Sequence, residues 1–243
     1  MRTAAALIIG NELLSGKIAE QNLFVLARTL RALGIKLCRS VMILDEMDTI
    51  VHEVSHLATT YDVVFTSGGV GPTHDDLTVE AVGRAFGVDL QMSPVIEGLL
   101  RGYYGDKVTE GHLLMARVPA GARLVTSPGA PWPTVVMKNV WVLPGVPEIF
   151  QMKMAQVEHE LSGDRPFVSL AVYTPLDEGQ IKALLDRVVA AHPAVDIGSY
   201  PKWNDPRYKT KLTFDCTSKE LAQAARDAFA AGLPEGALLD LDG

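Results

Sequence analysis

Thr66-Ser67-Gly68-Gly69-Val70-Gly71-Pro72-Thr73-His74-Asp75-Asp76-Leu77-Thr78 joins two patterns of different period. Before it, Asp62 to Ser67 is a short apolar run of the kind a buried parallel strand makes. After it, Thr78 to Phe86 reads as a helix stopped by Gly87. Strand, glycine-rich loop, helix is the unit of an open α/β sheet, in which ligands bind at the carboxyl ends of strands. Gly68, Gly69 and Gly71 let backbone N–H groups approach an anion, and the helix N-terminus adds a favourable dipole. Asp75 and Asp76 would repel a bare phosphate, so they point to a bridging divalent cation or to a base. The loop has neither the Gly-Lys-Ser/Thr of a P-loop nor Gly-x-Gly-x-x-Gly. The plainer alternative is a tight turn whose aspartates cap the helix, although a cap needs one aspartate and no glycine cluster.

Towards the N-terminus the pattern repeats. Ala4 to Ile9 predicts a strand ending at Gly10, and Leu23, Leu26, Leu30 and Leu33 predict an amphipathic helix closed by Gly34. Ile35 to Leu44 is β-rich, and Asp48 reads as the cap of a helix with its apolar face at Ile50, Val51, Val54, Leu57 and Ala58. If these strands are parallel, Gly10-Asn11-Glu12-Leu13-Leu14-Ser15-Gly16 and Asp45-Glu46 share one edge with the glycine loop. Glu12, Asp45, Asp75 and Asp76 would then meet at that edge.

Towards the C-terminus, Ser93-Pro94 opens a helix, Glu110 to Met115 is a second, and Lys138-Asn139 joins two strands as a hairpin. A helix runs from about Glu148 to Leu161. The composition changes at Ser162-Gly163-Asp164-Arg165-Pro166, which places a boundary between residues 1–163 and 164–243. The tail reads as strand (Phe167 to Thr174), helix (Glu178 to Ala191), strand (Asp196 to Tyr200), strand (Lys209 to Asp215) and helix (Lys219 to Ala231, capped by Ser218). That is a small α+β domain.

Several motifs carry less. His52-Glu53-Val54-Ser55-His56 matches the zinc signature His-Glu-x-x-His, but His52, Glu53 and His56 fall opposite the apolar face of their helix. His74 is expected to be a loop residue, and His112, His159 and His192 have no evident partner. Cys38 and Cys216 read as small core residues, and Trp132 as a rim aromatic or the filler of a turn. Lys202-Trp203 through Lys211 mixes basic and aromatic residues, as single-stranded nucleic-acid binders do. It is one stretch in a chain of net charge −7, which argues against nucleic acid and anionic membranes as partners. The longest apolar run falls far short of the ~20 residues that span a bilayer. The N-terminus lacks a signal-peptide pattern and the cysteines suggest no disulfide framework, so a cytoplasmic location is expected.

The Gly10–Ile18 stretch with Asn22, the Thr66–Thr78 loop and Leu143-Pro144-Gly145-Val146-Pro147-Glu148 together resemble the molybdopterin-binding-domain superfamily (MoaB/Mog-like). Within it they are most similar to the N-terminal region of CinA-like competence/damage-inducible proteins, and Ile197-Gly198-Ser199-Tyr200-Pro201 resembles the small domain that follows there. The resemblance implies a three-layer α/β/α fold with a mostly parallel sheet, binding a phosphate-bearing nucleotide or pterin. CinA-like relatives are associated with metal-dependent cleavage of the pyrophosphate of ADP-ribose or FAD; other branches bind or adenylylate molybdopterin in molybdenum-cofactor biosynthesis.

Carried over by position, the resemblance implies phosphate or nucleotide contacts from Gly10, Asn11, Asn22, Gly68, Gly69, Gly71, Pro72, Thr73, Thr78, Gly145 and Pro147. Asp76 and Asp45 take the catalytic positions, and Asp75, Asp76 and Glu12 the metal-holding ones. Asn11 stands where threonine is frequent. The expected cofactor is a divalent ion (Mg, Mn or Co), with K as an addition, and no haem, flavin or NAD as prosthetic group. The superfamily leaves a homo-oligomer open. A chain of 243 residues has no room for the amidohydrolase of full-length CinA proteins, nor is the FAD-synthetase module of some eukaryotic relatives present, so neither activity is expected.

Overall fold

The computed structural model describes residues 1–128, 130–163 and 165–242; of Pro131 only the backbone is described. Asp164 of the expected boundary lies outside the described residues. The chain divides into two units, residues 1–164 and 165–243.

In chain order the first unit contains β1 (Thr3–Ile9), α1 (Asn11–Leu14), α2 (Asn22–Ala32), β2 (Lys36–Ile43), α3 (Met47–Thr60), β3 (Val63–Ser67), α4 (Thr78–Ala85), β4 (Leu90–Met92), α5 (Pro94–Tyr104), α6 (Glu110–Leu114), β5 (Arg117–Pro119), β6 (Arg123–Ser127), β7 (Ala130–Met137), β8 (Val140–Leu143) and α7 (Pro147–Leu161). Its main sheet has the order β2-β1-β3-β8-β7-β6. The first four strands are parallel, and β7 pairs antiparallel with β8 on one side and β6 on the other. A separate antiparallel pair joins β4 to β5.

Alternation along β1 builds the layers. Ala4, Ala6 and Ile8 pack with Leu26 and Leu30 of α2 and Phe150, Met154 and Val157 of α7. Ala5, Leu7 and Ile9 point the other way, onto Ile50, Val54 and Leu57 of α3 and Ala81 and Val82 of α4. A strand buried on both faces is the mark of a parallel sheet under two helical layers. Each fully buried Leu or Ile in it contributes about 1.5–3 kcal/mol of apolar transfer. Trp141 of β8 and Phe65 of β3 complete the first layer, with ring centroids 6.0 Å apart.

The second unit contains β9 (Val168–Thr174), α8 (Glu178–Ala191), β10 (Asp196–Pro201), β11 (Thr210–Cys216), α9 (Lys219–Gly232) and β12 (Asp240–Asp242). Its antiparallel sheet has the order β10-β11-β9-β12. Leu170, Val172, Leu212 and Phe214 face Ile181 and Val188 of α8 and Ala225 and Phe229 of α9.

Four expectations need correction. Helix α3 begins at Met47, so Asp48 lies in its first turn rather than at the cap; Glu46 takes the cap position without a side-chain cap bond. Cys216 is buried as expected, but Cys38 is exposed on the edge strand β2, where it falls at the β1–β2 register shift and its neighbours Arg39 and Ser40 are exposed as well. Trp132 stands in β7, not in a turn. The prolines on either side fall in the irregular stretch of the β6–β7 pairing, between Ser127↔Ala130 and Val125↔Thr134, where no ladder N–H is needed, and α7 takes the carbonyls there: Lys153 Nζ donates to Trp132 O and Pro133 O, and Gln156 Nε2 to Ala130 O and Trp132 O. Burial pushes the Lys153 ammonium down to about 8. Finally, Glu53 is not simply solvated: His52 and His56 are exposed, but Glu53 Oε2 is buried without a partner among the described residues.

Candidate functional site

Because β1, β2, β3 and β8 are parallel, their carboxyl ends bring Gly10, Asp45, Gly68 and Gly145 to one edge. The strand order reverses between β1 and β3, and the crevice at such a reversal is where open α/β sheets bind ligands. The glycines are there for space. Gly68 has φ 107°, and a Cβ on it would stand 2.1 Å from Ile9 O. A Cβ on Gly145 would stand 3.3 Å from Gly68 Cα, so the β3 and β8 loops touch backbone to backbone.

Side chains lock this edge from beneath. Thr78 is buried at the start of α4 and donates its hydroxyl to Gly68 O (2.8 Å), while its N–H donates to Gly69 O (2.9 Å). Asn22, buried at the start of α2, donates through Nδ2 to Ser67 Oγ (2.9 Å) and Gly145 O (2.8 Å). Its Oδ1 is buried without a partner among the described residues. Above these anchors, Gly69, Val70 and Gly71 donate their N–H groups to no acceptor among the described residues. Nor does any side chain form a cap bond at the start of α3, α4 or α7, which all begin at this edge. The edge therefore presents unused backbone donors, the elementary anion site of a protein.

Three carboxylates stand beside these donors. Asp45 Oδ2 accepts from Asn11 N (2.8 Å), and Asn11 Oδ1 accepts from Asp45 N (3.3 Å), so the β1 and β2 loops clasp each other. Burial pushes the Asp45 carboxyl up, and the like charges of Glu12 and Asp75 push it further. Glu12 folds back over Gly10, where a Cβ would stand 2.6 Å from its Oε1. Asp75 is held below its ordinary range, chiefly by the Thr73 hydroxyl, which lies 2.6 Å from Oδ1.

Asp76 is turned into its own loop. Its Oδ2 accepts from Thr73 N (2.7 Å) and lies over Gly71, where a Cβ would stand 2.6 Å from it. Glu12, Asp45 and Asp75 are thus brought together, with Asp76 bracing the turn beside them. Pro72, Thr73 and His74 are exposed on that turn, and Pro147 opens α7. Sequence reasoning missed Ser67, a polar residue ending an apolar strand, which relays from Asn22 to Pro144 O.

Among the described residues no three His, Cys, Asp or Glu side chains converge to cage a metal ion. A Mg²⁺-type ion needs less: it keeps several waters and takes one or two carboxylates plus substrate phosphate oxygens. The like charges of Glu12 and Asp75 acting on Asp45, beside unused N–H donors, fit such an ion. A concavity of about 350 Å³ lies elsewhere, between α2 and α7, lined by Phe24, Arg28 and Glu158 among others.

Residues 5–162 match the family described as "Probable molybdopterin binding domain", and residues 166–242 match "FAD synthase, middle domain". A probable FAD synthase of Caenorhabditis briggsae is 33% identical over 93% of this chain and 49% of its own length. The chain thus spans about half the length of the Caenorhabditis relatives it matches. A CinA-like protein of Myxococcus xanthus is 38% identical over 60% of this chain and 36% of its own. Among solved structures, the CinA protein of Thermoplasma acidophilum superposes with a TM-score of 0.61 at 28% identity, covering 67% of this chain and all of that one. No helix among the described residues is long and apolar enough to cross a membrane.

Proposed function

The chain belongs to the molybdopterin-binding-domain family, with CinA-like relatives, and from that premise we propose that it is a metal-dependent hydrolase of nucleotide diphosphates of the ADP-ribose or FAD type. One observation carries the reading: the unpartnered N–H groups of Gly69, Val70 and Gly71 stand beside the carboxylates of Glu12, Asp45 and Asp75. The FAD synthase names of the C-terminal match and of the Caenorhabditis relatives favour a dinucleotide over a simple phosphate.

In this reading the N–H groups of the glycine loop hold non-bridging oxygens of the diphosphate and stabilise the charge that grows on them. A divalent ion, when bound, supplies the positive charge that an anionic substrate needs beside three carboxylates. Asp45 takes the proton of the attacking water; its raised pKa makes it a better base than an exposed aspartate. The water oxygen joins one phosphorus, the bridging P–O bond breaks, and the other phosphate leaves with that oxygen. Thr78 and Asn22 keep the loop open to substrate rather than touching the reacting atoms. The proposed setting is the cytoplasm.

The test is hydrolysis of ADP-ribose and FAD with Mg²⁺, Mn²⁺ or Co²⁺. Turnover that requires the ion and falls in Asp45→Asn and Asp76→Ala supports the proposal. No turnover with any pair, or full activity in both variants, overturns it. The family match over residues 5–162 favours one second reading, a pterin-binding module of molybdenum-cofactor synthesis. Tight molybdopterin binding without diphosphate hydrolysis would establish that reading instead.

A further inference from the structure

The second unit holds a concentration of cations and rings that the glycine-loop chemistry does not use. Residues 202–209 form the loop between β10 and β11, closed at its neck by Lys202 N–H donating to Lys209 O (2.7 Å). Within it Asp205 grips Arg207 through two bonds, from Nε (3.0 Å) and Nη2 (2.8 Å). The Asp205 side chain is 17% exposed and the Arg207 side chain 78%, so the one acid of the loop is spent on holding an outward-facing cation. Lys202, Lys209 and Lys211 have no acidic partner at ion-pair distance among the described residues.

Rings continue this surface onto the sheet. Leu212 and Val172 face the helices, so by strand alternation Lys211 and Tyr173 face away from them. Tyr200, Lys211 and Tyr173 are cross-strand neighbours in one row over β10, β11 and β9. Lys211 Nζ lies 5.4 Å from the Tyr173 ring centre, Tyr208 meets Tyr173 edge to face at 4.9 Å, and the Arg207 guanidinium lies 5.8 Å from the Tyr208 ring centre. Beside the neck of the loop Trp203 is 94% exposed, and among the described residues no ring or cation covers it. An open surface concavity of about 480 Å³ is lined by Lys202, Asn204, Asp205, Pro206 and Arg207.

We propose that this loop and the tyrosine row of the second unit form a binding site for a nucleotide, with the base or flavin ring stacked on Trp203 and the phosphate held by Lys202, Arg207 and Lys209. Aromatic faces beside backbone-neutralising cations are how proteins take unpaired bases without reading their sequence. The scale favours a mono- or dinucleotide over a polymer. A polymer gains affinity with each phosphate neutralised, and this patch offers a few cations on a chain of net charge −7. The proposal is independent of the reading of the glycine loop, because it needs neither a metal ion nor the carboxylates of the first unit.

The test titrates the full chain with AMP, FMN and ribose 5-phosphate in EDTA, which removes any contribution from a divalent ion. AMP or FMN should bind, and ribose 5-phosphate should bind at least tenfold more weakly because it has no ring to stack. Trp203→Ala should weaken AMP or FMN by about tenfold. Its fold should survive, since the side chain is nearly all in solvent, and an unchanged melting temperature checks this. The paired variant Lys202→Ala/Lys209→Ala should weaken all three ligands. Equal affinity in wild type and Trp203→Ala, or no binding of AMP or FMN at millimolar concentration, overturns the proposal. So does a ten-residue oligouridylate that binds a hundredfold tighter than AMP, because that outcome assigns the patch to single-stranded RNA.

Discussion

The helices of this protein begin in two different ways. Away from the glycine-loop edge they are tied down by side chains: Ser93 caps α5, Thr109 caps α6, Asp177 caps α8 and Ser218 caps α9. At the edge, α3, α4 and α7 begin with Glu46, Leu77 and Val146, none of which makes a side-chain cap bond. A cap is worth about 1 kcal/mol, so leaving three out weakens the fold just where the strand ends converge. What the edge gains is donors free to meet an anion. The contrast separates the parts of the chain that serve stability from those that serve a ligand.

The strongest way to break the contrast is through the backbone itself. Gly68→Ala places a Cβ 2.1 Å from Ile9 O, where neither side can yield, so it should cost about 3 kcal/mol or more and abolish turnover. Gly236→Ala in the second unit has a positive φ of 79° but open space around it, and should cost about 1 kcal/mol. Denaturant unfolding of both variants checks the difference. Next in size, Asp45→Asn should lower kcat about 100-fold, since the amide still accepts from Asn11 N but takes no proton. Steady-state assays on ADP-ribose measure it, with binding expected to change little.

Caps themselves can be exchanged. Ser218→Ala should lose about 1 kcal/mol, whereas Val146→Ser, at an extended position ready for a cap, should gain about 0.5–1 kcal/mol and raise KM. A stabilised Val146→Ser with unchanged KM would show that the free N–H groups of α7 serve no ligand. The smallest effect is electrostatic. Folded Asp45 binds its proton more tightly than the unfolded chain does, so it favours folding below the ordinary carboxylate value of 3.8. That contribution is lost as pH rises through the raised pKa. In metal-free buffer Asp45→Asn should therefore lose part of the decline in stability with rising pH, measured as the denaturation midpoint from acid to neutral pH.

The parallel half of the first unit was legible because it obeys simple periods. Ala4 to Ile9 and Val63 to Ser67 are too short and too uniformly apolar for anything but buried strands, and glycines end them. Once those strands are parallel, Glu12, Asp45 and Asp75 must share an edge, and they do. Of the antiparallel flank, the β7–β8 hairpin was legible from its Lys138-Asn139 turn, and the rest was not. β7 continues through Ala130-Pro131-Trp132-Pro133, where Trp132 between two prolines reads as a rim aromatic or the filler of a turn; the carbonyls there are taken by Lys153 and Gln156 of a distant helix, which leaves no local trace. β4 and β5, three residues each, are too short to show a period. At the site, the Asn11–Asp45 clasp joins residues 34 apart and leaves no local trace. Asp76, singled out by its motif, turns one carboxylate oxygen, Oδ2, onto Thr73 N of its own turn, a local bond that the motif alone does not show.

Asn22 carries a consequence for anyone who would rebuild this edge. One amide on α2 fastens the end of β3 through Ser67 and the β8 turn through Gly145. The three segments are therefore a single part, although they lie far apart in the chain. A glycine loop grafted alone onto another parallel sheet would arrive without its fastening. The smallest transferable piece is the loop together with the first turn of α2 and the Pro144-Gly145 turn, and a graft that omits Asn22 should lose the spacing between Gly68 and Gly145.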